Sequence, residues 1–211
     1  MKQNLPVQTL PSQSLVSVAP QQETNKKRIY IILTQPHTVL AKLIKLFSKT
    51  GYNHASIALE ENIQTIYHFE MYSFGRKRVH NPVWGGFVKE SCNFGFFQQY
   101  PETNCAVYAI EVSDQQYEHC KQQLCQFINH AEEYKYNHLG LLAIPLRIPY
   151  SPAKHFVCSH FVAHLLQKNH IVHFYKDIRL VTPWDLAHIA GIRPVYYGRL
   201  QWLPEALQTA V

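Results

Sequence analysis

The chain has 211 residues, 46% of them hydrophobic and 16% charged, which describes a globular domain with a core and excludes a disordered or low-complexity chain. No apolar run approaches the roughly 18 residues of a membrane-spanning helix, so no transmembrane segment is expected. The net charge is +6, yet the dense basic clusters Lys26-Lys27-Arg28 and Arg76-Lys77-Arg78 are short and carry no nucleic-acid motif. They speak for solubility and mild attraction to anionic partners, not for nucleic-acid binding.

Met1 to Asn25 is rich in Gln, Ser and Pro and reads as a flexible tail. It lacks the basic n-region and long apolar h-region of a signal peptide, and a cytoplasmic location is expected. Arg28–Thr34 is a continuous β-branched run, the pattern of a buried strand. Val39, Leu40, Leu43, Ile44 and Phe47 recur in steps of three and four, which predicts a helix over Thr38–Phe47. Asn53–Leu59 and Ile66–Phe74 read as two strands joined by a turn at Glu60–Asn62. His80–Tyr100, rich in Gly, Pro and aromatics, predicts an irregular loop with one short strand at Phe87–Glu90, the kind of segment that covers a substrate. Cys105–Val112 is a strand, and Ser113 and Asp114 cap a helix carrying Tyr117, Leu124, Phe127 and Ile128. A short helix at Asn137–Ile144, a helix from Cys158 to about Lys168, a helix starting at Thr182-Pro183 and a strand at Pro194–Leu200 complete the chain. The order β-α-β-β-β-α-α-α-β predicts an α+β protein with an antiparallel sheet.

Five cysteines, Cys92, Cys105, Cys120, Cys125 and Cys158, form no C-x-x-C pair and no regular framework. Reduced thiols are the expectation, with neither structural zinc nor another cofactor. Cys158 differs from the rest because it stands where an amphipathic helix begins. Cys158, Val162, Leu165 and Leu166 share one stripe, and Pro149, Ser151 and Pro152 lie just upstream. A thiol in a first helical turn sits at the positive end of the helix dipole, which favours the nucleophilic thiolate.

A thiol nucleophile needs a base, and the base needs a group to orient it. Thirteen histidines are available. His160 and His164 turn away from Cys158 on its own helix, and as an i, i+4 pair without an intervening acid they make a weak metal signal. His119, His130, His138, His170, His173 and His188 lie in polar or loop surroundings. His54 opens a strand of Ala, Ser, Ile and Leu, where its ring can meet a helix packed across the sheet. In a hairpin closing near Glu61, residues 68 to 70 come opposite or diagonal to it, so either Glu70 or His68 can orient the His54 ring.

The strand Asn53-His54-Ala55-Ser56-Ile57-Ala58-Leu59 followed by the late Cys158-Ser159-His160-Phe161-Val162 helix resembles the permuted papain-like cysteine hydrolases, specifically the YiiX/YaeF-type amidases of the NlpC clan. Met71–Arg76, Gly85–Glu90, Cys105–Tyr108 and Leu180–Pro183 look similar to that branch too, so the likeness spans roughly residues 28 to 200. It implies a permuted papain-like (NlpC-type) fold over 26–203, an antiparallel sheet packed against the cysteine helix, with 1–25 and 204–211 as tails. By position, Cys158 matches the nucleophile and His54 the base, and the third polar residue falls in the His68–Glu70 region. Glu70 is preferred because a carboxylate best stabilises an imidazolium. The implied activity is cleavage of peptide or isopeptide amides, including peptidoglycan-type stem peptides, through an acyl-enzyme and without a metal. The lecithin:retinol-acyltransferase-like branch implies a rival, a lipid acyltransferase or thioesterase with an acyl channel lined by Trp84, Phe87, Phe94, Phe96 and Phe97. A catalytically silent peptide-binding domain is the rival from another class.

Overall fold

Apolar and aromatic side chains run without interruption from Ile29 to Leu33, and strand β1 (Lys27–Gln35) is accordingly buried on both of its faces. It lies inside an eight-stranded sheet in the computed structural model, which describes residues 26–35, 51–63, 69–78 and 81–209. The other strands are β2 (His54–Leu59), β3 (Met71–Arg78), β4 (Asn81–Glu90), β5 (Asn104–Val112), β6 (Lys135–Tyr136), β7 (His155–Phe156) and β8 (Arg193–Arg199). Their spatial order is β7-β6-β4-β3-β2-β1-β5-β8. Every neighbouring pair is antiparallel except β6 and β7, which run parallel, so the sheet is mixed and not purely antiparallel.

Period-two alternation divides the core between two faces. Ile31, Leu33, Ala55, Ile57, Phe74 and Phe87 point to one side. Helix α2 (Asp114–Asn129) and helix α4 (Cys158–Lys168) cover it, the latter with Phe161, Val162, Leu165 and Leu166. Tyr30, Ile32, Ala58, Met71, Cys105 and Val107 point to the other side. There they meet Phe97 of the short helix α1 (Gly95–Gln99) and Leu203, which opens helix α6 (Leu203–Thr209). The remaining helices are α3 (His138–Ala143) and α5 (Pro183–Ala187). The expected caps form: Ser113 and Gln116 make a capping box on α2, and Thr182 and Asp185 make one on α5, where Pro183 occupies the first turn.

Three differences from the sequence reading have physical causes. The stretch 80–100 is not an irregular loop; it supplies the ten-residue strand β4 and helix α1. Gly85 and Gly86 read as loop residues, but here they admit a neighbouring chain. A Cβ on Gly86 would stand 2.5 Å from the Tyr134 carbonyl oxygen, and one on Gly85 would stand 2.7 Å from Tyr136 Cβ. The segment after 203 is a helix anchored by the fully buried Leu203, where a tail was expected. The described strand over the expected 66–74 begins at Met71 and continues to Arg78. The helix expected at Thr38–Phe47 lies outside the described residues. No helix among the described residues is long and apolar enough to cross a membrane.

Candidate active site

Cys158 is the first residue of α4, as its sequence setting predicts, and only 3% of it is exposed. Val157 precedes it as N-cap with no side-chain hydrogen bond to the helix end. The first backbone N–H groups of α4 are therefore not satisfied by a side-chain cap. The helix start is fixed from two sides. Ser159 Oγ donates to the Val181 carbonyl at 2.6 Å, and Phe156, two residues before the cysteine, packs its ring 5.1 Å from that of Phe74 on β3.

His54 is the first residue of β2, so its ring stands at the end of the sheet where α4 begins. Its Nε2 lies 3.0 and 3.1 Å from the two carboxylate oxygens of Glu90, the last residue of β4. Ser56 Oγ donates to Glu90 Oε2 at 2.7 Å and holds the carboxylate in place. The side chains of His54 and Glu90 are 15% and 10% exposed. Gly75 lies beside the pair: a Cβ there would stand in ordinary contact with His54 Cε1 at 3.7 Å and Glu90 Oε1 at 3.6 Å. The Cys158 thiol stands close enough to His54 to count among the causes that raise the His54 pKa. Burial alone would lower the His54 pKa, but the Glu90 charge, Cys158 and the Glu90 hydrogen bond outweigh it and raise the pKa well above the ordinary histidine value.

Tyr136 lies on β6, the strand paired with β7. Burial, followed by the nearby Cys158, raises its pKa far above the ordinary phenol value, so it stays a neutral O–H donor. Burial pushes Cys105 and Cys120 up to about 12, and neither has a histidine among the causes of its shift.

The structure thus brings together Cys158 and His54 and adds Glu90 and Ser56. It does not bring Glu70 to His54. Ile57 pairs with Tyr72, a register that places residue 70 across from Leu59, at the opposite end of β2 from His54. The Glu70 carboxylate instead accepts from Tyr72 Oη and Lys89 Nζ, both at 2.9 Å. His68 lies outside the described residues. The carboxylate role that the sequence assigned to Glu70 is filled geometrically by Glu90. The available signal was the alternation at Phe87–Glu90, which sets Val88 and Glu90 on the face opposite Phe87.

Among the described residues no group of three or more His, Cys, Asp and Glu side chains is placed to hold an ion. His160 is buried, stacks 4.7 Å from the Phe156 ring, and has its pKa lowered to about 4, by burial first and then by His164. The aromatics suggested for an acyl channel do not line one cavity. Phe87 belongs to the core beneath α4, Phe97 lies on the opposite face of the sheet, and Trp84 is exposed.

The fold and site define an α+β protein with a Cys–His–Glu constellation at a helix start. No protein-family model matches the chain, and neither the curated proteins nor the solved structures contain a match to it.

Proposed function

We propose that the protein is a cysteine hydrolase that cleaves amide bonds, peptide or isopeptide, through an acyl-enzyme on Cys158. One observation carries the reading: a buried imidazole is held between a carboxylate and the only thiol at a helix N-terminus. The permuted papain-like fold belongs to the same proposal, supported by the chain order of His54 before Cys158 and by α4 packed on the sheet.

In this mechanism His54 accepts the thiol proton on Nδ1, and Glu90 stabilises the resulting imidazolium through Nε2–H. The thiolate attacks the carbonyl carbon, forming a C–S bond, and the oxyanion takes hydrogen bonds from the uncapped N–H groups at the start of α4 and from the neutral Tyr136 phenol. The C–N bond breaks as His54 returns its proton to the departing amine. Water then gives a proton to His54 and attacks the thioester. The C–S bond breaks, the acid leaves, and the thiol is restored. Peptidoglycan-type stem peptides and cellular peptides are both amide substrates of the required kind.

A lipid acyltransferase or thioesterase is a second reading, favoured by the exposed apolar side chains of Leu139, Leu142 and Leu146 in the segment leading to the cysteine helix. Competition between peptidyl and fatty-acyl electrophiles for the Cys158 sulfur, with Cys158→Ala as blank, separates the two. Preference for peptidyl probes supports the amidase, and preference for fatty-acyl probes replaces it with the lipid enzyme. Equal indifference to both, with no label on Cys158, removes both.

A further inference from the structure

The chain between β6 and β7 leaves the site and returns to it. Lys135 N donates to the Lys154 carbonyl and Asn137 N to the Phe156 carbonyl, both at 3.0 Å, so the excursion 138–154 is closed at its base two residues before Cys158. That base is built, not loose. Asn137 is 3% exposed; its Oδ1 accepts from Gly140 N and its Nδ2 donates to the Tyr150 carbonyl, both at 2.8 Å. Only glycine fits at 140, since a Cβ would stand 2.2 Å from Asn137 Nδ2 and 2.7 Å from the Tyr150 oxygen. At the tip, the Ala143 carbonyl accepts from both Leu146 N and Ile148 N, which folds the chain back on the end of α3. Arg147 takes a left-handed backbone conformation there, at φ 57°.

This ordered excursion turns its apolar side chains outward. Leu139, Leu142, Leu146, Ile148 and Tyr150 are 65%, 65%, 70%, 53% and 44% exposed. Leu139 and Leu142, three apart, share one face of α3. Clustered exposure of this kind marks an interaction surface, whereas scattered exposed leucines do not. Charge indicates the partner. From Tyr134 to Lys176 the chain contains no Asp or Glu; Lys154 and Lys176 are paired with Glu133 and Asp185, so Arg147 is the cation that the edge itself presents. Arg147 stands between Leu146 and Ile148 at the tip. Apolar side chains at the contact with a cation among them suit the boundary between anionic headgroups and acyl chains.

We propose that the 138–150 edge docks this protein on anionic phospholipid membranes, with Leu142, Leu146 and Ile148 entering the headgroup boundary and Arg147 meeting lipid phosphates. Docking there sets the cysteine helix beside the bilayer surface. The proposal concerns the surface and holds whichever bond Cys158 cleaves.

Flotation of the full chain with vesicles tests it, using phosphatidylcholine alone or phosphatidylcholine and phosphatidylserine in equal parts. The wild type should float with the serine-containing vesicles and remain below with phosphatidylcholine alone, and binding should weaken as salt is raised. Leu142→Ser/Leu146→Ser should lose at least about tenfold in partitioning, and Arg147→Glu about fivefold or more, with melting temperatures that show both variants folded. Cys158→Ala should bind as the wild type does, so loss of the catalytic reading leaves this test intact. Equal recovery with both vesicle types, or full binding by the double serine variant, overturns the proposal. So does sedimentation as a dimer that the double serine substitution dissolves without any vesicle binding, because a second copy then covers the edge.

Discussion

Replacing Glu90 by Gln keeps the size of the side chain and removes the charge that His54 faces. In the structure that charge is shared over two contacts of 3.0 and 3.1 Å and is steadied by Ser56 at 2.7 Å. Both partners are largely withdrawn from water, so the pair is not a screened surface bridge. A hydrogen bond to a charged group in such a place contributes about 1.5–3 kcal/mol, which corresponds to about a 10- to 150-fold change in the population of the thiolate–imidazolium pair. The assay needs no substrate: the second-order rate of Cys158 alkylation by iodoacetamide, followed by mass spectrometry across pH. The charge of Glu90 raises the His54 pKa. Its contribution to stability is therefore complete below the unfolded histidine pKa and is lost as pH rises through the folded one. Glu90→Gln should lower the alkylation rate near neutrality by that factor, move the alkaline edge of the profile to lower pH, and leave the fold intact. An unchanged rate and unchanged profile in a folded Glu90→Gln protein would refute the coupling of Glu90 to the thiol through His54.

Ser56→Ala removes one of the contacts on Glu90 and should slow the same alkylation by about 3- to 10-fold, well short of the Glu90 effect; a loss as large as that of Glu90→Gln would contradict a supporting role. His160 stays neutral in the folded protein down to about pH 4, whereas an unfolded histidine titrates near 6.5. Stability should thus fall as pH drops from 6.5 to 4, by up to about 3 kcal/mol. Urea titrations of His160→Phe should show a shallower loss over that window. Gly86→Ala drives a methyl group to 2.5 Å from the Tyr134 oxygen and should cost about 1–3 kcal/mol by thermal or urea melts. Gly51→Ala, which meets only the Gln35 side chain at 3.6 Å, should be tolerated.

The site's two ends were legible because each rests on local chemistry. Cys158 is marked by the apolar spacing of its own helix, and His54 by its place at the head of an apolar strand. Both stand where those patterns put them. Glu90 was not legible because its role depends on where β4 sits in the sheet: alternation sets it on the face opposite Phe87, but only the pairing of β4 with β3 brings that face's carboxylate within reach of His54. The central strands were readable for the same reason that β1 is buried, a run of β-branched residues. The two-residue strands β6 and β7 were not, since strands so short leave almost no periodicity. Gly85 and Gly86 misled because glycine signals a loop and a close backbone approach equally well.

The central claim is that Cys158 is a nucleophile made reactive by His54. The direct measurement is the position of the label after limited treatment of the intact protein with an electrophilic acyl probe, read by peptide mass spectrometry in the wild type, Cys158→Ala and His54→Ala. Exposure alone would direct the probe to Cys125, which is exposed, and to Cys92, which is half-buried, before Cys158 at 3%. The account predicts the reverse: one label, on Cys158, lost in Cys158→Ala and strongly slowed in His54→Ala. Labelling of Cys125 and Cys92 in order of exposure, with Cys158 unmodified, would contradict it.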